Sequence, residues 1–214
     1  MKKVRDFIPV ILSALISIIS IIIYSALTKE RSFLIYLQIF VGPIALMVIP
    51  ILNKFKIVKI PVVLSYLLLI HFFLALILGS TFGFYDRISC WDMILHGYFG
   101  FVFAFLTLCI LLNFDGEKLN GVLLFILLFF VTMGAAGLWE ICEFTMDRIM
   151  NGDTQRIEES IAQGHTPVWD TMMDMIIAIP GILIFYVCIG IDKLMGFHFS
   201  RYIYQDIKNK NKED

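Results

Sequence analysis

The stretch NGVLLFILLFFVTMGAAGLWEICEFTMD, residues 120–147, contains the pattern that decides the fold, a long apolar run that ends among acids. An α-helix rises about 1.5 Å per residue, so roughly 20 apolar residues cross a hydrocarbon core of about 30 Å. The rest of the chain has the same bias, because 59% of its 214 residues are hydrophobic and only 16% are charged. Typical soluble domains are less apolar than this. The stretch is therefore predicted to span a membrane.

Further apolar runs of similar length lie on both sides of this one. Together they predict an all-α, polytopic membrane helix bundle of about six transmembrane helices, at about residues 7–27, 33–52, 60–79, 93–112, 120–143 and 171–191. The first run follows a basic N-terminus, as in a signal peptide, but it is longer than a typical signal core, so we interpret it as a retained anchor. Residues 1–214 are predicted to form a single integral membrane domain, with a basic cytoplasmic tail at 195–214.

Basic residues are distributed unevenly between the predicted loops. With the N-terminus inside, twelve of the 17 Lys and Arg residues fall in cytoplasmic segments. Because Lys and Arg near span ends are retained in the cytoplasm, both termini are predicted to be cytoplasmic. The loops at about 80–92 and 144–170 then lie on the outer face. The net charge of −1 indicates no nucleic-acid partner, which leaves the lipid bilayer as the expected partner.

Acidic side chains recur at the outer ends of the last three predicted spans. Residues three, four or seven apart share one face of a helix, and each span has such a set. The sets are Asp92 and His96, then Glu140, Glu143 and Asp147, then Asp170 and Asp174. Chain direction predicts two layers separated by roughly 6 Å of helix rise. The deeper layer contains His96, Glu140 and Asp174, and the outer layer contains Asp92, Glu143 and Asp170.

Small residues next to these acids predict close contacts between the same helices, because small side chains let membrane helices approach one another. They are Gly97, Gly100 and Ala104 on the fourth span and Gly134, Ala135, Ala136 and Gly137 on the fifth. On the sixth span, Pro180 and Gly181 are interpreted as packing residues that could also kink the helix.

The excess of carboxylates suggests a bound cation. An ionised carboxylate at membrane depth costs several kcal/mol unless it is paired, protonated or bound to a cation. An oxygen-rich set with a single imidazole suits Mg²⁺, Mn²⁺, Fe²⁺ or Zn²⁺. The predicted metal ligands are His96, Glu140, Glu143 and Asp174. Asp92 and Asp170 are predicted to be catalytic, as a general base or as a carboxylate that supports the ligands.

Two other interpretations of the acids remain open. A structural or protonated hydrogen-bond network would join three helices in a non-catalytic envelope factor, and an ion or solute pathway would make the chain a small cation-coupled transporter. A pathway should continue inward from the acids, where Gln38 and His71 are the polar residues within the spans. His71 also suits a hydrogen bond between helices.

The segment RIMNGDTQRIEESIAQGHTPVWD, residues 148–170, is the longest outer loop. It contains the turn signal Asn151-Gly152, a short helical pattern, and breaks at Gly164 and Pro167. We interpret it as a lid on the membrane surface. Its basic residues would meet an anionic group such as a lipid phosphate, and these are Arg148, Arg156 and His165. A solvated loop without a role in the site is the alternative.

Three motifs resemble a known family. WDMILHGYFG at 91–100, LWEICEF at 138–144 and WDTMMDM at 169–175, followed by PGI at 180–182, resemble the YjdF-type family of bacterial inner-membrane proteins. A looser resemblance links the chain to VanZ-like proteins, which implies a connection with the cell envelope. The likeness covers residues 80–190.

The favoured hypothesis is a metal-dependent hydrolase or transferase that acts on a phosphate-bearing lipid or envelope intermediate.

Overall fold

The computed structural model describes residues 5–28, 33–114, 116–196 and 198–210, which are mostly helical and include no strand. The helices are α1 Ile8–Leu27, α2 Phe33–Lys54, α3 Val62–Phe72, α4 Phe84–Arg87, α5 Trp91–Asn113, α6 Gly121–Met150, α7 Ile157–Ala162, α8 Trp169–Leu194 and α9 His198–Lys210. A π-helix, Phe73–Thr81, continues α3, and a 3₁₀ turn covers Gly116–Lys118. The predicted all-α class is confirmed.

Six of these segments are long and apolar enough to cross a membrane: α1, α2, α3 with its π-helical continuation, α5, α6 and α8. The six predicted spans are therefore confirmed. Their ends differ, most clearly in α6, which continues to Met150 rather than ending near 143. Hydropathy marks where a chain leaves the hydrocarbon, whereas a helix continues as long as its backbone bonds are made. The direction in which the spans cross stays a prediction, and residues 197 and 211–214 of the predicted tail lie outside the described ranges.

The chain divides into two compact units. The first contains Met1–Trp91, Cys109–Glu117 and Phe197–Asp214, and the second contains Asp92–Leu108 and Lys118–Gly196. In the first unit, α1 buries its small polar residues Ser13, Ser17 and Ser20 and exposes most of its large apolar ones. The Ser17 hydroxyl donates to the Ile39 carbonyl at 2.8 Å. A helix in lipid gains little by burying isoleucine, so small polar side chains form its contact face.

A polar joint in the first unit connects the loop before α3 with the end of α5. Lys59 is buried, and its ammonium donates to the Asn53 carbonyl at 2.6 Å. The Asn113 amide accepts from the Lys59 backbone N–H at 2.8 Å and donates to the Lys59 carbonyl at 2.9 Å. These bonds satisfy backbone groups that a loop among apolar helices would otherwise leave unpaired.

In the second unit, the described parts of α5, α6 and α8 pack around Phe99, Ala136 and Ala178. Glycines bring α5 and α8 together, because a Cβ on Gly100 would overlap the Ala178 carbonyl oxygen and one on Gly181 would overlap the Gly97 carbonyl oxygen. The predicted close packing is confirmed at these positions.

The packing prediction was wrong at Gly134 of α6, where an added Cβ would meet no described atom within 4 Å. Gly134 lies about 200° around the helix from Ala136, because each residue turns the helix by about 100°. Ala136 is buried, so the two residues lie on different faces.

Candidate metal centre

Five acidic side chains of the second unit lie near one another, at the starts of α5 and α8 and in the C-terminal half of α6. Asp92 lies in the first turn of α5, and Asp170 lies in the first turn of α8. Carboxylates are stabilised there by the unpaired N–H groups and the positive end of the helix dipole. His96 and Asp174 follow one turn later, each on the same helix face as its partner.

The six clustered residues differ in how far their side chains are buried within the protein. Side chains of the deeper set are almost fully buried, with His96 8%, Glu140 5% and Asp174 3% exposed. Asp92, Glu143 and Asp170 are partly exposed. The buried layer must satisfy its charge within the protein, since water reaches it least.

A first group of candidate metal ligands contains Asp92, His96 and Asp174. The His96 Nε2 atom lies 3.5 Å from Asp92 Oδ1 and 3.4 Å from Asp174 Oδ2. Both distances are longer than an ordinary N–H···O hydrogen bond of about 2.9 Å, and one Nε2–H cannot point along two directions at once. They resemble the roughly 3.3 Å that separates two ligands of a tetrahedral ion whose bonds are about 2.0–2.1 Å.

A second group contains Glu140, Glu143 and Asp174, whose ligand atoms lie within 4.8 Å of one another. The Trp139 indole N–H donates to Glu143 Oε1 at 2.8 Å and so orients that carboxylate. Glu140 Oε2 is buried and has no hydrogen-bond partner among the described residues. The structure thus brings all four predicted ligands together, with Asp174 common to both groups.

Asp170 and Arg156 lie beside these groups. Asp170 is within electrostatic range of Asp92 and Arg156, and its Oδ2 atom is buried without a hydrogen-bond partner in the described chain. Arg156 Nη1 lies 3.9 Å from Asp92 Oδ2, and the guanidinium also pairs with Glu159. Burial disfavours the charged guanidinium, but Glu159 and Asp92 outweigh that effect and raise the pKa of Arg156. Arg156 is therefore a permanent cation beside the acids.

Asp147, the third acid of the opening stretch, has a different place. Its Oδ1 atom accepts from the Thr154 backbone N–H at 2.7 Å and from the Thr154 hydroxyl at 2.8 Å. Its Oδ2 atom accepts from the Gln155 N–H at 3.1 Å. This carboxylate stabilises the turn after α6. Arg156 follows that turn and has a left-handed backbone conformation, with φ 48°. A non-glycine residue held in this region costs of order 1–3 kcal/mol and needs such support.

Two polar residues of the site were missed by the sequence analysis. Gln155 is buried, and its side-chain amide donates to the Thr171 hydroxyl at 3.0 Å. Both side chains lie within electrostatic range of the Glu140 carboxylate, but neither forms a hydrogen bond with its Oε2 atom. Helical spacing could have identified Thr171, since it lies three residues before Asp174 on α8 and so shares its face. No sequence pattern identifies Gln155, because its burial depends on the turn that Asp147 stabilises.

The three predicted lid residues occupy different surroundings. Arg156 lies at the acids, whereas His165 stacks on Trp169 with ring centroids 4.1 Å apart. Arg148 is exposed in the last turn of α6. The lid roles proposed for Arg148, Arg156 and His165 all stay predictions.

Comparisons with known proteins place the chain among membrane proteins. A family model described as "Predicted membrane protein (DUF2238)" matches residues 10–192, which includes the early spans as well as the three motifs. An uncharacterized protein of Thermotoga maritima is 34% identical over 112 residues, which cover 51% of this chain and 52% of the relative. The chain thus spans about half the length of that relative. No solved structure matches the chain. The YjdF-type and VanZ-like resemblances stay predictions.

Proposed function

The chain belongs to the DUF2238 family of predicted membrane proteins, and we propose that it is a divalent-metal-dependent hydrolase or transferase. Its substrate is a phosphate-bearing lipid or envelope intermediate at the outer face of the bacterial plasma membrane. The proposal rests on the convergence of two ligand groups from three helices at Asp174, one of which includes Glu140 with its buried, unpartnered Oε2 atom. A buried acceptor without a partner is costly, and a cation removes that cost.

His96, Glu140, Glu143 and Asp174 hold the metal in this proposal. These residues would hold one or two divalent ions, whose chemistry when bound would be to polarise a phosphoryl oxygen and to activate water. The Trp139 indole would orient the Glu143 carboxylate for this role. Such supporting contacts fix the orientation of a metal ligand and so affect metal affinity.

Asp170 is the proposed general base. Its side chain is partly exposed, and its buried Oδ2 atom has no hydrogen-bond partner among the described residues, so the carboxylate could accept a proton from a water or hydroxyl held beside it. Asp92 lies close to Asp170 and serves as the second carboxylate.

Arg156 supports a phosphate group as the anionic part of the substrate. Its planar guanidinium offers several N–H donors, which match the oxygens of a phosphate better than those of a neutral group. The left-handed backbone at Arg156 and the Asp147 bonds before it hold the side chain beside the cluster. A phosphate arriving at the metal would meet this cation.

A lipid substrate is favoured by the depth at which the acids lie. Trp139 and Trp169 flank the cluster in sequence and are 44% and 43% exposed. Tryptophan prefers the headgroup region, where a lipid phosphate also lies. The excess of Lys and Arg in the opposite loops assigns this level to the outer leaflet, with both termini in the cytoplasm.

Turnover of lipid phosphates tests the proposal. The full chain, purified in detergent and loaded with Mn²⁺, Zn²⁺ or Mg²⁺, would be given lipid monophosphates and diphosphates, and phosphate release and lipid products would be measured. Asp170→Asn should abolish turnover without releasing the metal. Glu158→Gln, an exposed acid on α7, is the matched control and should retain activity. Metal-loaded protein without turnover of any tested lipid, or an active Asp170→Asn variant, contradicts the enzymatic proposal.

A non-catalytic envelope factor is the second candidate. The approach of His96 Nε2 to carboxylates of both α5 and α8 favours it, because such a contact would join the helices without any ion. His96→Ala would then lower thermal stability by the same amount in metal and in chelator. A destabilisation that appears only in the presence of metal would count against this candidate.

A further inference from the structure

We infer that the centre binds two divalent ions bridged by the Asp174 carboxylate. The inference rests on the proposed metal site and specifies how its residues are divided. Asp174 is 3% exposed and belongs to both ligand groups. A carboxylate has two oxygens, so one residue can bind an ion on each side. Bridged ions in two-metal sites lie about 3.5–4 Å apart.

Each ion takes two ligands from a single helix. The first ion is bound by Asp92 and His96 of α5, one turn apart, together with Asp174. The second is bound by Glu140 and Glu143 of α6, also one turn apart, together with Asp174. Side chains at these spacings lie on one face of a helix and can share an ion without distortion.

The two positions differ in ligand chemistry. The first includes an imidazole, which suits Zn²⁺, Fe²⁺ or Mn²⁺, whereas the second is made of carboxylate oxygens alone, which suits Mg²⁺ or Mn²⁺. Mn²⁺ is compatible with both sets, so it is the ion of choice for filling the centre.

Charge balance favours two ions over one. Five carboxylates converge with one guanidinium and the imidazole of His96. If the imidazole is neutral and the acids are ionised, these groups and the Glu159 carboxylate that pairs with Arg156 carry a net charge of about −5, which one divalent ion reduces to about −3 and two reduce to about −1. The acids are Asp92, Glu140, Glu143, Asp170 and Asp174. Uncompensated charge is expensive at membrane depth, so the two-ion arrangement, which is nearer to neutral, is the more stable one.

The unpartnered oxygen of Glu140 supplies an independent reason for the second ion. Glu140 is 5% exposed, and its buried Oε2 atom has no hydrogen-bond partner among the described residues. An ion bound only by Asp92, His96 and Asp174 would leave that oxygen unsatisfied. The second ion uses it directly.

Metal stoichiometry tests the inference in the intact chain. The detergent-purified protein would be stripped with a chelator and dialysed against Mn²⁺, and bound metal would be measured by elemental analysis. Two tightly bound Mn²⁺ per chain are expected, with the electron paramagnetic resonance spectrum of an exchange-coupled pair. One Mn²⁺ per chain overturns the two-ion inference but leaves the proposed function standing. No bound Mn²⁺ overturns both, and two uncoupled ions refute the bridge.

Variants assign the ions to their ligands. His96→Gln and Glu143→Gln should each lose one Mn²⁺ per chain, and Asp174→Asn should lower the affinity for both. Glu158→Gln and His198→Ala change exposed residues of the same types outside the cluster and should keep two. Loss of both ions in His96→Gln with intact folding contradicts the assignment. If a variant fails to fold, the stoichiometry and coupling of the wild-type protein still decide the question.

Discussion

Replacing Gly181 with alanine tests whether the close contact of α5 and α8 builds the candidate metal centre. The new Cβ would overlap the Gly97 carbonyl oxygen and lie 2.8 Å from the Phe101 backbone nitrogen. The distance from this Cβ to the Gly97 oxygen would be more than about 1 Å shorter than an ordinary van der Waals contact. Both neighbours are backbone atoms, so they cannot rotate away. The helices must therefore move apart. Overpacking of this kind typically costs about 1–3 kcal/mol.

The same displacement would act on the metal ligands. Gly97 directly follows His96, whose Nε2 atom lies 3.4 Å from Asp174 Oδ2 across the α5–α8 contact. A separation of about 1 Å would disturb the shared ligand position, and changes that misplace metal ligands typically weaken affinity about 10–100-fold. We expect Gly181→Ala to lose Mn²⁺ affinity by a factor in this range.

Thermal unfolding and Mn²⁺ titration measure the two effects. A loss of about 1–3 kcal/mol corresponds to a fall in Tm of roughly 2–4 °C per kcal/mol for a chain of this size. Gly134→Ala is the matched control, since its Cβ meets no described atom within 4 Å. Because alanine favours helix over glycine by about 1 kcal/mol, this control should be neutral or slightly stabilised. Equal Tm and equal Mn²⁺ affinity in the two variants would refute the reasoning.

Three further substitutions test other contacts. Asp147→Ala removes the acceptor that organises the turn after α6, so amide hydrogen exchange at residues 152–156 should accelerate while Tm changes little; unchanged exchange would contradict this role. Trp139→Phe removes the 2.8 Å bond to Glu143 and should weaken one of two Mn²⁺ sites about tenfold, whereas an unaltered titration argues against an orienting role. Asn113→Leu removes the two hydrogen bonds to the Lys59 backbone, so the free energy of unfolding should fall by about 2–3 kcal/mol in a thermal unfolding experiment. A Tm equal to that of the wild-type protein would show that these bonds do not stabilise the fold.

Helical spacing was sufficient to predict which members of the candidate centre share a helix face. Asp92 with His96, and Asp170 with Asp174, follow from the 3.6-residue repeat, which depends on backbone geometry alone. The direction of each chain segment predicted that His96, Glu140 and Asp174 lie deeper in the membrane; their depth stays a prediction, and within the protein they are the buried members of the cluster. Spacing failed for Asp147, which lies on the expected face of α6 but turns its carboxylate to the following loop.

The conformation of the loop after α6 could not be predicted from sequence patterns. Its shape depends on Asp147 accepting from Thr154 and Gln155, and on the left-handed backbone at Arg156. Non-glycine residues adopt that conformation only where surrounding bonds support it. The burial of Gln155 and the approach of Arg156 to the acids follow from those bonds. Helical or hydrophobic periodicity does not predict either feature.

By itself the sequence determined the membrane as the solvent, the number of spans and the helix faces that bear acids, because hydropathy and helical periodicity are properties of short segments. Only the tertiary structure decided that Asp174 is common to two ligand groups and that Gly100 and Gly181 bring α5 and α8 into contact. Those features depend on how each helix is rotated and on how closely its neighbours pack. Rotation and separation result from steric fit between helices, which no single segment contains.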